Sequence, residues 1–195
     1  GKDGVIKIMG NDTTHLKTRE VLDFNVGHIP EDRLKEGLVP TMDLRENVTL
    51  MNFDKLPFSK NGIINWKMIN NWTAGICDEF NVKTPGTREL AGHLSGGNQQ
   101  KFVVGRELSR KPKLIIAAHP TRGLDIGATK YIQKQLIEAR DEGAAILMIS
   151  TELYEIMEMS DRILTLCNGK VMGILDQKDA TTTLLGLLMG GCLLT

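Results

Sequence analysis

Ser95-Gly96-Gly97 stands directly before a run that reads as a helix, and this junction constrains the fold more than any other part of the chain. The run carries Phe102, Val103, Val104 and Leu108, gathers Arg106, Arg110 and Lys111 toward its end, and stops at Pro112. Ser95 is a natural N-cap, because its hydroxyl can accept a bond from a first-turn N–H. Gly96 and Gly97 have no Cβ, so a ligand can come close to their N–H groups. A helix start of this kind has unpaired donors and a partial positive charge, which suits a phosphate. Taken alone, Ser-Gly-Gly reads more simply as a Gly-rich turn that merely caps a helix, because such turns are common.

After Pro112 the pattern becomes α/β. Leu114-Ile115-Ile116-Ala117-Ala118 is a continuous apolar run, as expected for a strand buried on both faces. Asp125 can cap a helix with Ile132, Leu136 and Ile137 on its core face and Gly143 at its end. Ala145 to Ile149 reads as a second buried strand, and Glu152 to Met159 as a short helix. Arg162–Leu166 and Lys170–Leu175 form a hairpin around Asn168-Gly169, and Thr181 to Leu194 is one helix and an end. Upstream, Val5 to Met9 reads as a strand closed by a Gly10-Asn11-Asp12 turn, and Val26 to Ile29 as a strand ended by Pro30.

Residues 34–110 look different, with both tryptophans and few strand signals. Trp66, Ile69, Thr73, Ile76 and Phe80 recur at helical spacing, which predicts an amphipathic helix with the Trp pair in the core. Thr84-Pro85-Gly86 marks a loop before the Ser-Gly-Gly junction. Strand–helix alternation implies a mainly parallel sheet with covering helices. The expected organisation is an α/β core from residues 1–33 and 111–195 with a helical subdomain at 34–110.

At 195 residues the chain can bury a real core. Its 24 basic and 24 acidic residues balance, so no overall field favours nucleic acid. Cys77, Cys167 and Cys192 lack metal spacing and fit reduced thiols, and the four histidines are far apart, so no metal site is expected. No signal peptide is visible, and Leu184 to Leu194 is too short to span a bilayer. Work at a membrane would therefore require a partner.

Leu94-Ser95-Gly96-Gly97-Asn98-Gln99-Gln100-Lys101 resembles the signature motif of ATP-binding-cassette (ABC) transporter ATPases, and its Asn-Gln-Gln ending resembles the second, C-terminal cassette of sugar and nucleoside importers. Lys113 to Asp125 resembles the family's Walker B strand and D-loop. Gly27-His28-Ile29-Pro30-Glu31-Asp32-Arg33 resembles the Q-loop segment, and Arg45-Glu46-Asn47-Val48 the family's Glu-Asn-Val. Ser150-Thr151-Glu152-Leu153 and Ser160-Asp161-Arg162-Ile163 sit where the family has its H-loop and the following strand. The resemblance runs from about Gly4 to Gly191 and implies a partial P-loop NTPase fold.

The family's phosphate loop needs Gly-x-x-x-x-Gly-Lys-Ser/Thr. Gly1-Lys2 is followed by Asp3, and Gly169-Lys170 by Val171, and neither has the upstream glycine. The sequence thus resembles a cassette without its Walker A segment. The Walker B Asp-Glu positions are Ala118 and His119, the H-loop histidine is Thr151, and the Q-loop glutamine is Glu31. Alanine cannot orient a hydrated magnesium ion. A neutral His119 could accept a proton, but as a loop-edge residue before Pro120 it needs no such role. Phosphoryl transfer depends on positioning and charge neutralisation, so the resemblance implies a degenerate site in this chain.

The signature is the exception. In the family, each ATP lies between the Walker A of one cassette and the signature of another. The resemblance then implies that Ser95, Gly96, Gly97 and Gln99 bind ATP in trans, with Asp125 of the D-loop near the seam or simply capping its helix. ATP and Mg would belong to the assembled transporter and not to this chain alone. The expected partners are a second cassette, transmembrane permease subunits and, indirectly, an extracytoplasmic solute-binding protein, with no nucleic acid and a peripheral place on the cytoplasmic face of the membrane. A non-catalytic module docking on permease or partner cassette is the alternative. An ABC protein acting on DNA or ribosomes suits the neutral charge less well.

Overall fold

The computed structural model describes residues 4–54 and 56–192. Gly1-Lys2-Asp3, Lys55 and the end of the expected tail helix at Leu193-Leu194 lie outside the described residues. The chain forms two compact units, residues 1–147 and 148–195.

The first unit opens with a small hairpin, β1 (Lys7–Ile8) and β2 (Asn11–Asp12), paired antiparallel. This corrects the longer strand expected over Val5–Met9. Met9 and Gly10 both take positive φ (50° and 80°), which turns the chain one residue earlier and makes Asn11-Asp12 the return strand. The Ile6 carbonyl accepts from the Thr13 N–H at 2.8 Å, and Thr14 Oγ1 accepts from the Ile6 N–H at 2.9 Å, closing the ribbon. After α1 (Thr18–Leu22), β3 (Val26–Ile29) runs as expected and ends at Pro30.

A five-residue π-helical turn, Arg33–Gly37, follows, and Asp32 caps it by accepting from the Leu34 and Lys35 N–H groups. α2 (Leu44–Thr49) starts with a capping box in which Asp43 and Glu46 exchange bonds with each other's backbone N–H. Asn47 is fully buried. Its Oδ1 accepts from the Val39 N–H at 2.8 Å, and its amide faces the carbonyls of Val39, Met42 and Asp43 at 3.0–3.2 Å.

A hairpin of β4 (Ser59–Lys60) and β5 (Ile63–Ile64) precedes α3 (Trp66–Glu79). Ile69, Thr73, Ile76 and Cys77 are the buried face of α3, with Phe80 buried just beyond it, so the predicted stripe forms. The tryptophans correct the expectation of core packing: Trp66 is 45% and Trp72 36% exposed. Trp66 lies at the helix start under the Arg45 guanidinium, and Trp72 falls off the stripe, packing edge-on against Phe58.

α4 (Gly96–Leu108) begins at Ser95 and buries Phe102, Val103 and Val104. Phe102 and Val103 join Leu38, Leu44, Val48, Ile76 and Phe80 in one apolar cluster. At the other end of α4, Glu107 is 1% exposed. It is paired with Arg106 and Arg110 and accepts from the His28 N–H at 3.4 Å, which ties the helix to β3.

β6 (Leu114–Ala118) pairs parallel with β3, and β7 (Ala145–Ile149) lies on its other side, giving the order β3-β6-β7. Between them α5 (Ile126–Asp141) buries Ala128, Ile132 and Leu136 and ends before Gly143 at φ +103°. Both strands fall where the sequence predicts, but their burial is a correction. In β6 only Ile115 and Ala117 are fully enclosed, with Leu114, Ile116 and Ala118 half-buried. No residue of β7 is buried, and Leu147 and Ile149 are largely exposed. Alternate side chains of a strand point to opposite faces, and α4 packing on β3 encloses one of them.

In the second unit, α6 (Leu153–Met159) is followed by the hairpin of β8 (Arg162–Cys167) and β9 (Lys170–Asp176). Asn168 and Gly169 take φ +49° and +75°, the geometry a two-residue hairpin turn demands. α7 (Thr182–Met189), capped by Thr181, closes a small core of Ile163, Ala180 and Leu185 under Leu153, Ile156 and Met157.

Candidate functional site

The site is built around the start of α4. Ser95 has extended backbone and caps the helix: its Oγ accepts from the Asn98 N–H at 3.5 Å and, better, from Asn98 Nδ2 at 3.0 Å. The Asn98 Oδ1 accepts from the Lys83 N–H at 2.9 Å, so the loop after α3 is fastened to the same turn. Ser95 is exposed, and Gly96 and Gly97 are partly so. Their N–H groups are the unpaired first-turn donors of a 13-residue helix. The two glycines differ. A Cβ on Gly97 would make an ordinary 3.5 Å contact with Ala128, whereas one on Gly96 would come within 2.7 Å of Arg33 Nη2.

Gln99 is buried. Its Nε2 donates to the Ala91 carbonyl at 3.2 Å, and its Oε1 accepts from Arg33 Nε at 3.4 Å. Gln100 is buried too and donates to the Pro120 carbonyl at 2.7 Å, holding the loop after β6 against α4.

That loop carries the next sequence-predicted positions. Ala118 ends β6 half-buried, with a methyl group and no carboxylate. His119 is half-buried at φ +46°, an uncommon conformation for a residue with a Cβ, and its carbonyl accepts from the Arg122 N–H at 3.1 Å. Asp125 is exposed and caps α5 by accepting from the Ala128 N–H at 2.8 Å. Glu31 is exposed and ion-paired with Arg122. Thr151 belongs to the second unit, exposed, next to Ser150, whose hydroxyl donates to Glu155 at 2.8 Å.

Within the first unit the fold thus brings together Glu31, Ser95, Gly96, Gln99 and the 118–125 loop. Arg33 and Arg122 connect them and carry the charge of this region, yet sequence reasoning did not single them out. The available signal was their position inside the two loop motifs that flank the junction. Ala118 and His119 offer no oxygen ligand, and no group of three or more His, Cys, Asp or Glu able to hold a metal gathers among the described residues. Magnesium therefore does not fit the end of β6.

In the β3-β6-β7 sheet, with β3 and β6 parallel, the loop after β6 is pinned by Gln100 to the helix that starts at Ser95-Gly96-Gly97. The ABC transporter family matches residues 1–122, and the chain belongs to that family. It is 45% identical over 188 residues to the nucleoside import ATP-binding protein NupA of Lactococcus lactis, covering 96% of this chain and 37% of the relative. It is 42% identical over 188 residues to the guanosine import ATP-binding protein NupO of Bacillus subtilis, covering 96% and 37%. To the ribose import ATP-binding protein RbsA of Lactococcus lactis it is 36% identical over 180 residues, covering 92% and 36%. The chain thus spans little more than a third of the length of these relatives. A dimeric ATP-binding cassette in a post-hydrolysis state bound to ADP and Pi shares its fold, with a TM-score of 0.73 at 21% identity over 90% of this chain and 74% of the other. Among the described residues no helix is long and apolar enough to cross a membrane.

Proposed function

We propose that this chain is part of the ATP-binding subunit of an ABC importer for nucleosides or simple sugars, and that it donates its signature to an ATP held by a partner cassette. The observation that carries this reading is the open helix start of Ser95, Gly96 and Gly97 beside a strand that ends in Ala118 and His119. The first can bind a phosphate; the second has no carboxylate to orient a metal or polarise a water. Ser95 Oγ and the Gly96 and Gly97 N–H groups would contact the ATP, with Gln99 supporting them from inside the helix. Asp125 holds the loop at the seam. ATP and Mg belong to the assembled transporter, the permease subunits and solute-binding protein are its other parts, and the place of action is the cytoplasmic face of the membrane. Residues 34–110 serve as the helical lobe and 1–33 with 111–195 as the α/β core. The higher identity to NupA and NupO than to RbsA supports a nucleoside over a sugar as cargo.

The test is Ser95→Arg in the complete transporter. A guanidinium at the helix start fills the phosphate position, and ATPase activity should be abolished. Normal turnover would sink the proposal.

A further inference from the structure

The three segments that the proposed reading assigns to nucleotide chemistry are cross-tied by two arginines. Arg33, in the turn after β3, has its guanidinium over Gly96 at the start of α4. Its Nε donates to Gln99 Oε1, and its Nη1 donates to the Arg122 carbonyl, each at 3.4 Å. Arg122 reaches back from the loop after β6 and pairs through its own guanidinium with Glu31, two residues before Arg33. The circuit closes on itself: the loop after β3, the signature and the loop after β6 are held by Glu31, Arg33 and Arg122. Gln100 to Pro120 and the Arg122 N–H to the His119 carbonyl fix the rest of that loop.

Resting on the trans-signature reading, we infer that Arg33 and the Glu31–Arg122 pair are positioning elements that set the signature against the two neighbouring loops without a nucleotide in this cassette's own site. The physical argument is one of preorganisation. A loop that waits for a ligand to order it costs entropy when the ligand binds, and ties already made within the protein remove part of that cost. Glu31 is a carboxylate beside a phosphate site, which would repel the ligand if left uncompensated. Its charge is neutralised by Arg122, and Arg33 adds a second positive charge on the side of Gly96. Because the partner's ATP is closed on one side by this signature, a loosened circuit weakens ATP capture before it affects the chemical step.

The experiment uses the complete transporter, with ATPase activity measured over a range of ATP concentrations. Arg122→Glu should raise KM for ATP about two- to fivefold, the size an exposed ion pair can supply, with kcat changed less, and Glu31→Arg, which breaks the same tie but adds positive charge near the phosphate, should raise it by a smaller factor. The exchanged double variant E31R/R122E should return KM to near the wild-type value, and R33A should raise it in the same sense. A role confined to folding would lower kcat through lost active protein and leave KM where it was. Ser95→Arg in the same preparation separates the two readings. If S95R is inactive but the single variants and R33A keep the wild-type KM, or the exchange fails to rescue, the positioning role is overturned and the trans-signature reading stands. If S95R turns over normally, both fall.

Discussion

Asn47 offers the sharpest test of how the start of α2 is held. Its side chain is fully buried between the segment 38–43 and the first turn of α2. Asn47→Ala leaves the Val39 N–H without its acceptor and takes both amide hydrogens from the carbonyls of Val39, Met42 and Asp43. At about 1 kcal/mol net for each of three hydrogen bonds, the expected loss is about 3 kcal/mol. For a chain of this size that lowers Tm by about 6–12 °C. Asn47→Asp keeps the shape and the bond from Val39 but turns an oxygen toward three carbonyl oxygens. The charged form is disfavoured there, so the new carboxyl titrates above its usual range in the folded state. A raised folded-state pKa means the folded protein binds the proton more tightly than the unfolded chain, so stability is regained as pH falls through that pKa. The assay is urea unfolding followed by tryptophan fluorescence at pH 7 and pH 5, because Trp66 lies under Arg45 of α2 and Trp72 is on α3, which packs against α2. An N47A loss below about 1 kcal/mol, the worth of a single hydrogen bond, or an N47D variant with the same deficit at both pH values, would refute the reasoning.

Gly105→Ala should destabilise despite the better helix propensity of alanine. A Cβ there would lie 2.7 Å from Phe80 Cγ and 3.0 Å from Ile76 Cγ2. Overpacking of about 1–3 kcal/mol outweighs a propensity gain of about 1 kcal/mol; a higher urea midpoint would contradict this, and Phe80→Leu should relieve it. The thiols should separate by reactivity. Burial, with Asp78 adding to it, pushes the Cys77 thiol up to about 11, while Cys192 is exposed. At pH 8 a thiol reagent followed by mass spectrometry should find Cys192 labelled first and Cys77 only on unfolding; early labelling of Cys77 would show that the cluster with Phe80, Phe102 and Val103 is not closed over it.

Much of the secondary structure was legible because the signals are local. The Ser95 and Asp125 caps, the Asn168-Gly169 turn and the Ile69-Thr73-Ile76 spacing act within a few residues, and α4, α5, the β8–β9 hairpin and α3 form where they predict. The family was legible too, because its motifs are contiguous. Burial was not. Apolar composition alone cannot say which face of β6 or β7 will be covered, nor that Trp72 falls off the stripe and stays partly exposed against the buried Phe58. The site divides in the same way. Sequence alone determined the open helix start at Ser95-Gly96-Gly97 and the absence of a carboxylate at Ala118 and His119. Only the tertiary structure decided that Arg33, 66 residues from Gln99 and 89 from Arg122, would lie between them with its guanidinium over Gly96. A cap or a turn is fixed by covalent neighbours and backbone sterics, whereas a charge placed over a helix start depends on where two distant loops are brought by the packing of α4 against β3.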